Sequence, residues 1–216
     1  MKFLAINTAA TRLQVALQID NKIFAKSDNN YKKASEVASV YVDELLAENS
    51  LTLADLDFCA VVVGPGSFTG VRIGISMARI FGQFGTVPLV GINSLEVIAS
   101  KCRVQSAECR VVDYLASVDK VVVAVADAAN GFSYIAVYEN AVELLSPSVI
   151  KTSELSGFLD TIDEAHIVID EKDILHDNGA ALCAAGLSAY KKNGATTYEN
   201  ILPLYIRKSQ AEENLA

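Results

Sequence analysis

The chain has 216 residues, half of them apolar and a fifth charged, and 26 acidic against 18 basic side chains leave a net charge of −8. That composition suits one large globular domain or two small ones and excludes a disordered chain. An acidic balance also excludes a uniform electrostatic pull on nucleic acid, so any RNA involved is expected to be held mainly by a partner.

The start of the chain, Met1-Lys2-Phe3-Leu4-Ala5-Ile6-Asn7, is too short and too quickly polar for a secretory signal. No apolar run reaches the roughly 18 residues of a membrane span, so a soluble, cytoplasmic protein is expected. Phe3–Ile6 reads as a strand. Leu13, Val15, Leu17 and Ile19 alternate with Gln14, Ala16 and Gln18 as a half-buried second strand, and a tight turn at Asp20-Asn21 leads into a third at Lys22–Lys26. Ala34, Val37, Ala38, Tyr41 and Leu45 recur at helical spacing and predict a helix from about Ser35 to Ala47. Val40, Val42 and Leu46 widen its apolar surface beyond one stripe.

The apolar run Cys59–Val63 predicts a strand, followed by Gly64-Pro65-Gly66-Ser67-Phe68-Thr69-Gly70-Val71-Arg72-Ile73-Gly74 and a helix to about Phe84. Strand, glycine turn and helix in that order can present backbone N–H groups to an anion. The spacing nevertheless matches no common nucleotide or nucleophile fingerprint. Thr69 stands where G-x-G-x-x-G needs glycine, Val71 stands where a Walker A loop needs lysine, and Pro65 and Thr69 replace both glycines of G-x-S-x-G around Ser67. Gly66, Ser67, Thr69 and Arg72 are the candidates for a phosphate or anion contact. Thr69 reads alternatively as the N-cap of a helix from Gly70, with Ser67 stabilising the turn. Arg72 opposes the helix dipole there, which calls for a carboxylate or phosphate partner.

Pro88–Ile92 reads as a strand and Asn93-Ser94 as the cap of a helix from Leu95. A second half repeats the flavour. It has strands at Val121–Val125, Ser133–Tyr138 and Val142–Leu145, a turn at Glu139-Asn140, and a helix capped by Ser153. A short strand at Ile167–Ile169 and a helix at Ala180–Tyr190 follow. Strands in runs with helices between them predict a mixed-sheet α/β protein, with a soft boundary near residues 100–118. Cys59, Cys102, Cys109 and Cys183 show no C-x-x-C or metal-ligand spacing and read as reduced thiols. The histidines, His166 and His176, cannot share a helical face, so no metal site and no catalytic residue are assigned.

Gly74, Ala78 and Gly82 leave a smooth ridge on the second helix, flanked by Val71, Ile75 and Met77. Either this ridge and the surplus apolar width of the first helix are buried on their own sheet, or they form an interface. The segments Met1–Leu17, Gly64–Gly74, Pro88–Ala99, Asp127–Tyr134 and Pro203–Ala211 resemble, in order and spacing, the bacterial TsaB family, also called YeaZ. The resemblance implies an actin/Hsp70/sugar-kinase-like fold of two βββαβα halves, residues 1–101 and 102–216. It implies a role as the non-catalytic scaffold for N6-threonylcarbamoyladenosine synthesis at position 37 of tRNAs reading ANN codons. The partners implied are the catalytic paralogue TsaD and the ATPase TsaE, with tRNA reached through the complex and a homodimer when the chain is alone. No cofactor would be held tightly by this chain, with ATP or ADP expected only in the assembly. Because the family pairs through these helices, the interface reading is preferred, with Val40, Val42, Leu46, Val71, Gly74, Ile75, Met77 and Ala78 as its residues. Asn7, Ala34 and Ala129 depart from the family pattern by removing charged or titratable groups. The competing expectation is a nucleotide-dependent transferase or peptidase acting through the Gly64–Gly70 loop.

Overall fold

The computed structural model describes residues 1–28, 34–103, 121–139, 142–162, 166–171 and 179–207. Three antiparallel strands open the chain: β1 (Lys2–Asn7), β2 (Leu13–Ile19) and β3 (Lys22–Asp28). Helix α1 (Ala34–Glu48), β4 (Phe58–Gly64), α2 (Phe68–Phe84), β5 (Leu89–Asn93) and α3 (Ser94–Ala99) complete the first half. The second half runs β6 (Val121–Asp127), β7 (Phe132–Glu139), β8 (Val142–Lys151), α4 (Leu155–Leu159), β9 (His166–Asp170) and α5 (Ala180–Asn193).

The two sheets have the order β3-β2-β1-β4-β5 and β8-β7-β6-β9, so the second repeats the first without a fifth strand among the described residues. In each, the leading strand pairs antiparallel with its hairpin partner and parallel with the strand that returns after a helix. The leading strands are continuous apolar runs because each lies between two strands and is covered on both faces. β3, at an edge, carries lysines and has no fully buried residue.

Alternation along β4 explains the layering. Phe58 and Ala60 face α5, where Phe58 stacks on Phe3 at 4.4 Å and on Tyr190 at 4.3 Å, and a Cβ on Gly186 would lie 3.0 Å from Ala60 Cβ. The small residues of α5 (Ala181, Ala184, Ala185, Gly186 and Ala189) let it settle directly on the first sheet. Val61 faces the other way, towards α2. Helix α3 touches both sheets, and the inner face of the second sheet joins the main core through Val122, Ala124, Ala136 and Tyr138. Its outer face forms a smaller cluster, Val121, Val123, Val125, Ile135 and Val137, under Leu155, Phe158 and Leu159.

The predicted elements are present, with three differences. β8 continues to Lys151, because Phe132↔Lys151 pairing extends the ladder across a bulge. Ser153 caps nothing: it sits inside a single 3-10 turn, Thr152–Glu154, and α4 begins without a side-chain cap. Helix α2 starts two residues earlier than Gly70, at Phe68. Asn140 of the expected turn, His176, Cys109 and most of the soft boundary lie outside the described residues. Among the described residues no helix is long and apolar enough to cross a membrane.

Candidate functional site

A cleft of about 470 Å³ opens where the carboxyl ends of β1, β4 and β5 meet those of β6 and β9. Ligand clefts in open α/β sheets lie at such strand ends, where the strand order reverses. Two hairpin turns face each other across it. In the first, Asn7 Oδ1 accepts from the amides of Ala9 (3.1 Å) and Ala10 (3.3 Å). The next amide, Thr11, donates to Glu171 Oε1 at 2.9 Å, and the Thr11 hydroxyl reaches the same oxygen at 3.2 Å. Glu171 follows β9, so a carboxylate from the second half occupies the amide an anionic ligand would seek on the first. In the second turn Asp127 Oδ1 accepts from Ala129 N at 2.9 Å. Ala129 and Asn130 are left-handed there, at φ 59° and 54°, a conformation that costs an ordinary residue roughly 1–2 kcal/mol. Arg207 steadies this turn from outside by donating to the carbonyls of Ala128 and Ala129, at 2.8 and 3.1 Å.

The glycine loop packs against the first turn. The Ser67 amide donates to Ala9 O at 2.9 Å. A Cβ on Gly66 would come within 2.5 Å of Ala9 O, and one on Gly70 within 1.9 Å of Thr8 O, so neither position has room for a side chain. Ser67 is the N-cap of α2, its Oγ accepting from Gly70 N at 3.3 Å. This corrects the expectation for Thr69, which sits exposed in the first helical turn instead. The four anion candidates therefore separate: Gly66 and Ser67 line the cleft, whereas Thr69 and Arg72 line a different groove. Arg72 makes no ion pair among the described residues. Its Nε donates to Tyr205 Oη at 3.0 Å, and its guanidinium lies over the rings of Phe68 and Tyr205 at 5.4 and 5.9 Å. The aromatic pair supplies the partner that a carboxylate was expected to supply.

Cys59 is fully buried, and burial pushes its thiol up to about 12, so it stays protonated at neutral pH. Among the described residues no group of three His, Cys, Asp or Glu is placed to hold a metal ion.

The second groove, about 620 Å³, runs between α1 and α2 and is lined by Ala38, Thr69, Arg72, Ile73, Met77 and Ile80 among others. Here the interface expectation needs correction. Val42 and Leu46 are buried beneath α1, and Val71, Gly74, Ile75 and Ala78 are buried beneath α2. The ridge of small residues points inward: a Cβ on Gly74 would meet Thr8 Oγ1 at 2.5 Å, and one on Gly82 would meet Leu89 and Tyr198, each at 3.0 Å. It seats α2 on its own sheet. Of the expected residues, Val40 is exposed and Met77 half-buried, and the strongly exposed apolar side chains of α2 are Ile80 (55%) and Phe84 (77%), neither of which was singled out.

A family model described as "TsaD: tRNA N6-adenosine threonylcarbamoyltransferase" matches residues 28–171. The chain belongs to this family, on its TsaB (YeaZ) side. The tRNA threonylcarbamoyladenosine biosynthesis protein TsaB of Escherichia coli (strain K12) is 25% identical over 238 residues, spanning 100% of this chain and 98% of that protein. The protein of the same name from Bacillus subtilis (strain 168) is 34% identical over 104 residues, 48% of this chain and 45% of that one. Among solved structures, YeaZ from Pseudomonas aeruginosa superimposes with a TM-score of 0.72 at 20% identity, covering 94% of this chain and 99% of its own. That likeness shows the fold: the two repeated mixed sheets are those of an actin/Hsp70/sugar-kinase-like protein.

Within this TsaB-like chain, sequence reasoning missed Glu171, Tyr138 and the roles of Tyr205 and Arg207. Tyr138 and Asn93 share hydrogen bonds (Asn93 Nδ2 to Tyr138 Oη, 3.2 Å), which ties the cap of α3 to the second sheet. Glu171 had a usable signal, a carboxylate two residues past the end of a short predicted strand. Its partner, Thr11, lies 160 residues away and is invisible to spacing.

Proposed function

We propose that the chain is a non-catalytic scaffold subunit that pairs with a TsaD-type catalytic relative over the groove between α1 and α2. The process, tRNA N6-threonylcarbamoyladenosine synthesis, follows from the family. One observation carries the pairing: exposed Ile80 lines an apolar groove between α1 and α2, and the same two helices carry exposed Val40 and Phe84. A partner helix seated there would give a standard interface of about 800 Å² per side with these side chains at its centre. In the absence of the catalytic relative a second copy of the chain would use the same groove. In the assembly, TsaE and an adenine nucleotide would join, tRNA would be held mainly by the partner, and the site of action would be the cytoplasm. The acidic composition of this chain favours such a division of labour.

Reconstitution tests the reading. TsaD, TsaE, tRNA and a source of threonylcarbamoyl-adenylate are expected to yield the modified base only when this chain is added. The double variant Ile80→Glu/Phe84→Glu is expected to keep its thermal transition and lose both the complex and the product. Full modification without the chain, or an unchanged sedimentation profile for the double variant, overturns it.

A further inference from the structure

We infer that the segment Pro203–Arg207 is a mechanical link through which the outer surface of α2 acts on the second cleft turn, Asp127–Gly131. The inference goes beyond the scaffold reading and does not depend on which molecule binds α2.

Three contacts along five residues make the link. The Leu204 amide donates to Val63 O at 2.7 Å, which fixes the segment against the end of β4. One residue on, the Tyr205 ring stacks on Phe68, at the start of α2, with centroids 4.3 Å apart and planes 7° from parallel, and its hydroxyl takes the hydrogen bond from Arg72. Two residues further, the Arg207 guanidinium lies 4.3 Å over the Phe132 ring and donates to the carbonyls of Ala128 and Ala129. The first contact is an anchor on the first half. The second is exposed beside the α1–α2 groove, which Arg72 and Thr69 line. The third grips a turn whose residues Ala126, Asp127, Ala128 and Ala129 line the cleft.

The turn is the element that can respond. Ala129 and Asn130, neither of them glycine, are held left-handed, and such residues persist only where their surroundings over-determine them. Asp127 holds the amide of Ala129 and Arg207 its carbonyl. Backbone bonds from Phe132 N to Ala129 O, Ala128 N to Phe132 O and Thr152 N to Gly131 O also hold the turn. Releasing Arg207 therefore frees two carbonyls from their side-chain grip without opening the hairpin, which distinguishes a gripped state from a relaxed one. A carboxylate on a molecule docking over α2 would compete with Tyr205 for Arg72 and loosen the Tyr205 stack. A flat apolar group would bury that stack and tighten it. Each favours a different state of the turn, which is the differential interaction that coupling between two sites requires.

Hydrogen exchange on the full chain tests this without any partner. The reporters are the amides of Ala128, Ala129 and Phe132, whose acceptors lie within the turn. Arg207→Ala, the direct release, is expected to speed their exchange about tenfold, the ratio set by losing a charged hydrogen bond. Tyr205→Leu and Arg72→Ala, which leave Arg207 in place and alter only the α2 end, are expected to speed the same amides severalfold. Exchange in β4, at Ala60 and Val61, should stay unchanged in all three, which separates a local effect from a loss of global stability. Turn amides within twofold of the wild type in both Tyr205→Leu and Arg72→Ala, alongside a clear effect of Arg207→Ala, overturn the link. So does the absence of any effect in all three.

Discussion

The turn between β1 and β2 and the turn between β6 and β7 occupy equivalent places in the two sheets, yet they are secured by opposite means. Asn7 and Asp127 each fold back on the amides that follow. Beyond that the first turn offers an N–H to a carboxylate, Glu171, while the second offers carbonyls to a cation, Arg207. The first is also crowded from behind by the glycine loop, whereas nothing lies within 4 Å of a Cβ placed on Gly131 in the second. One turn is thus built into the core through backbone-to-backbone contact. The other closes on its own backbone bonds, Ala128 N to Phe132 O and Phe132 N to Ala129 O, and is tied to the neighbouring strand by Thr152 N to Gly131 O. It is gripped from outside by a side chain, with open space around Gly131. A duplicated hairpin has become a rigid wall on one side of the cleft and an adjustable one on the other.

The largest test of that contrast is a matched pair of glycine substitutions. Gly70→Ala drives a Cβ to within 1.9 Å of Thr8 O, a main-chain atom that cannot turn away, and should cost about 3 kcal/mol, the upper end for overpacking. Gly131→Ala meets open space but must hold φ 78°, and should cost about 1 kcal/mol. Denaturant midpoints measure both, and equal losses would erase the distinction between a crowded and an open turn. A similar contrast divides α2. Val71→Glu, on the buried face, should unfold the chain by placing a carboxylate where no partner reaches it, whereas Phe84→Glu on the outer face should leave the melting curve unchanged.

Next in size is Ala129→Gly. Glycine accepts the left-handed conformation without the penalty alanine carries, and its extra freedom in the unfolded chain returns part of the gain. A net stabilisation of about 0.5 kcal/mol is expected. A loss of stability would mean that Ala129 is not under strain and that Arg207 grips a relaxed turn.

The sheets and helices were legible because their signals are local: alternation in β2, helical spacing in α1, a β-branched run before the glycine loop. The glycine loop announced itself by composition, and the family resemblance supplied the process. Which face of α2 looks outward was not legible. Gly74, Ala78 and Gly82 form a smooth ridge whether the neighbour is a partner helix or β4, and spacing alone cannot choose between them. The long-range polar ties were equally hidden. Arg72 is satisfied by Tyr205, 133 positions later, and Thr69 yields the capping role to Ser67 because α2 begins earlier than the pattern predicts. Each of these was decided by tertiary packing and not by the local chain.

The smallest and most local test concerns the carboxylate across the cleft. Glu171→Gln keeps an oxygen of the same reach but removes its charge, so the bonds from the Thr11 amide and hydroxyl weaken without being abolished. Both groups are exposed, and solvent screening limits the change to about 0.5 kcal/mol, near the resolution of a melting curve. Exchange at the Thr11 amide is the better gauge, expected to rise two- to threefold in Glu171→Gln and further in Glu171→Ala. The amides of Ala9 and Ala10, capped by Asn7 from within the same turn, should keep their wild-type rates. If they accelerate together with Thr11, the first turn moves as one body with Glu171, and the rigid wall of the cleft is set by the second half of the chain and not by the glycine loop behind it.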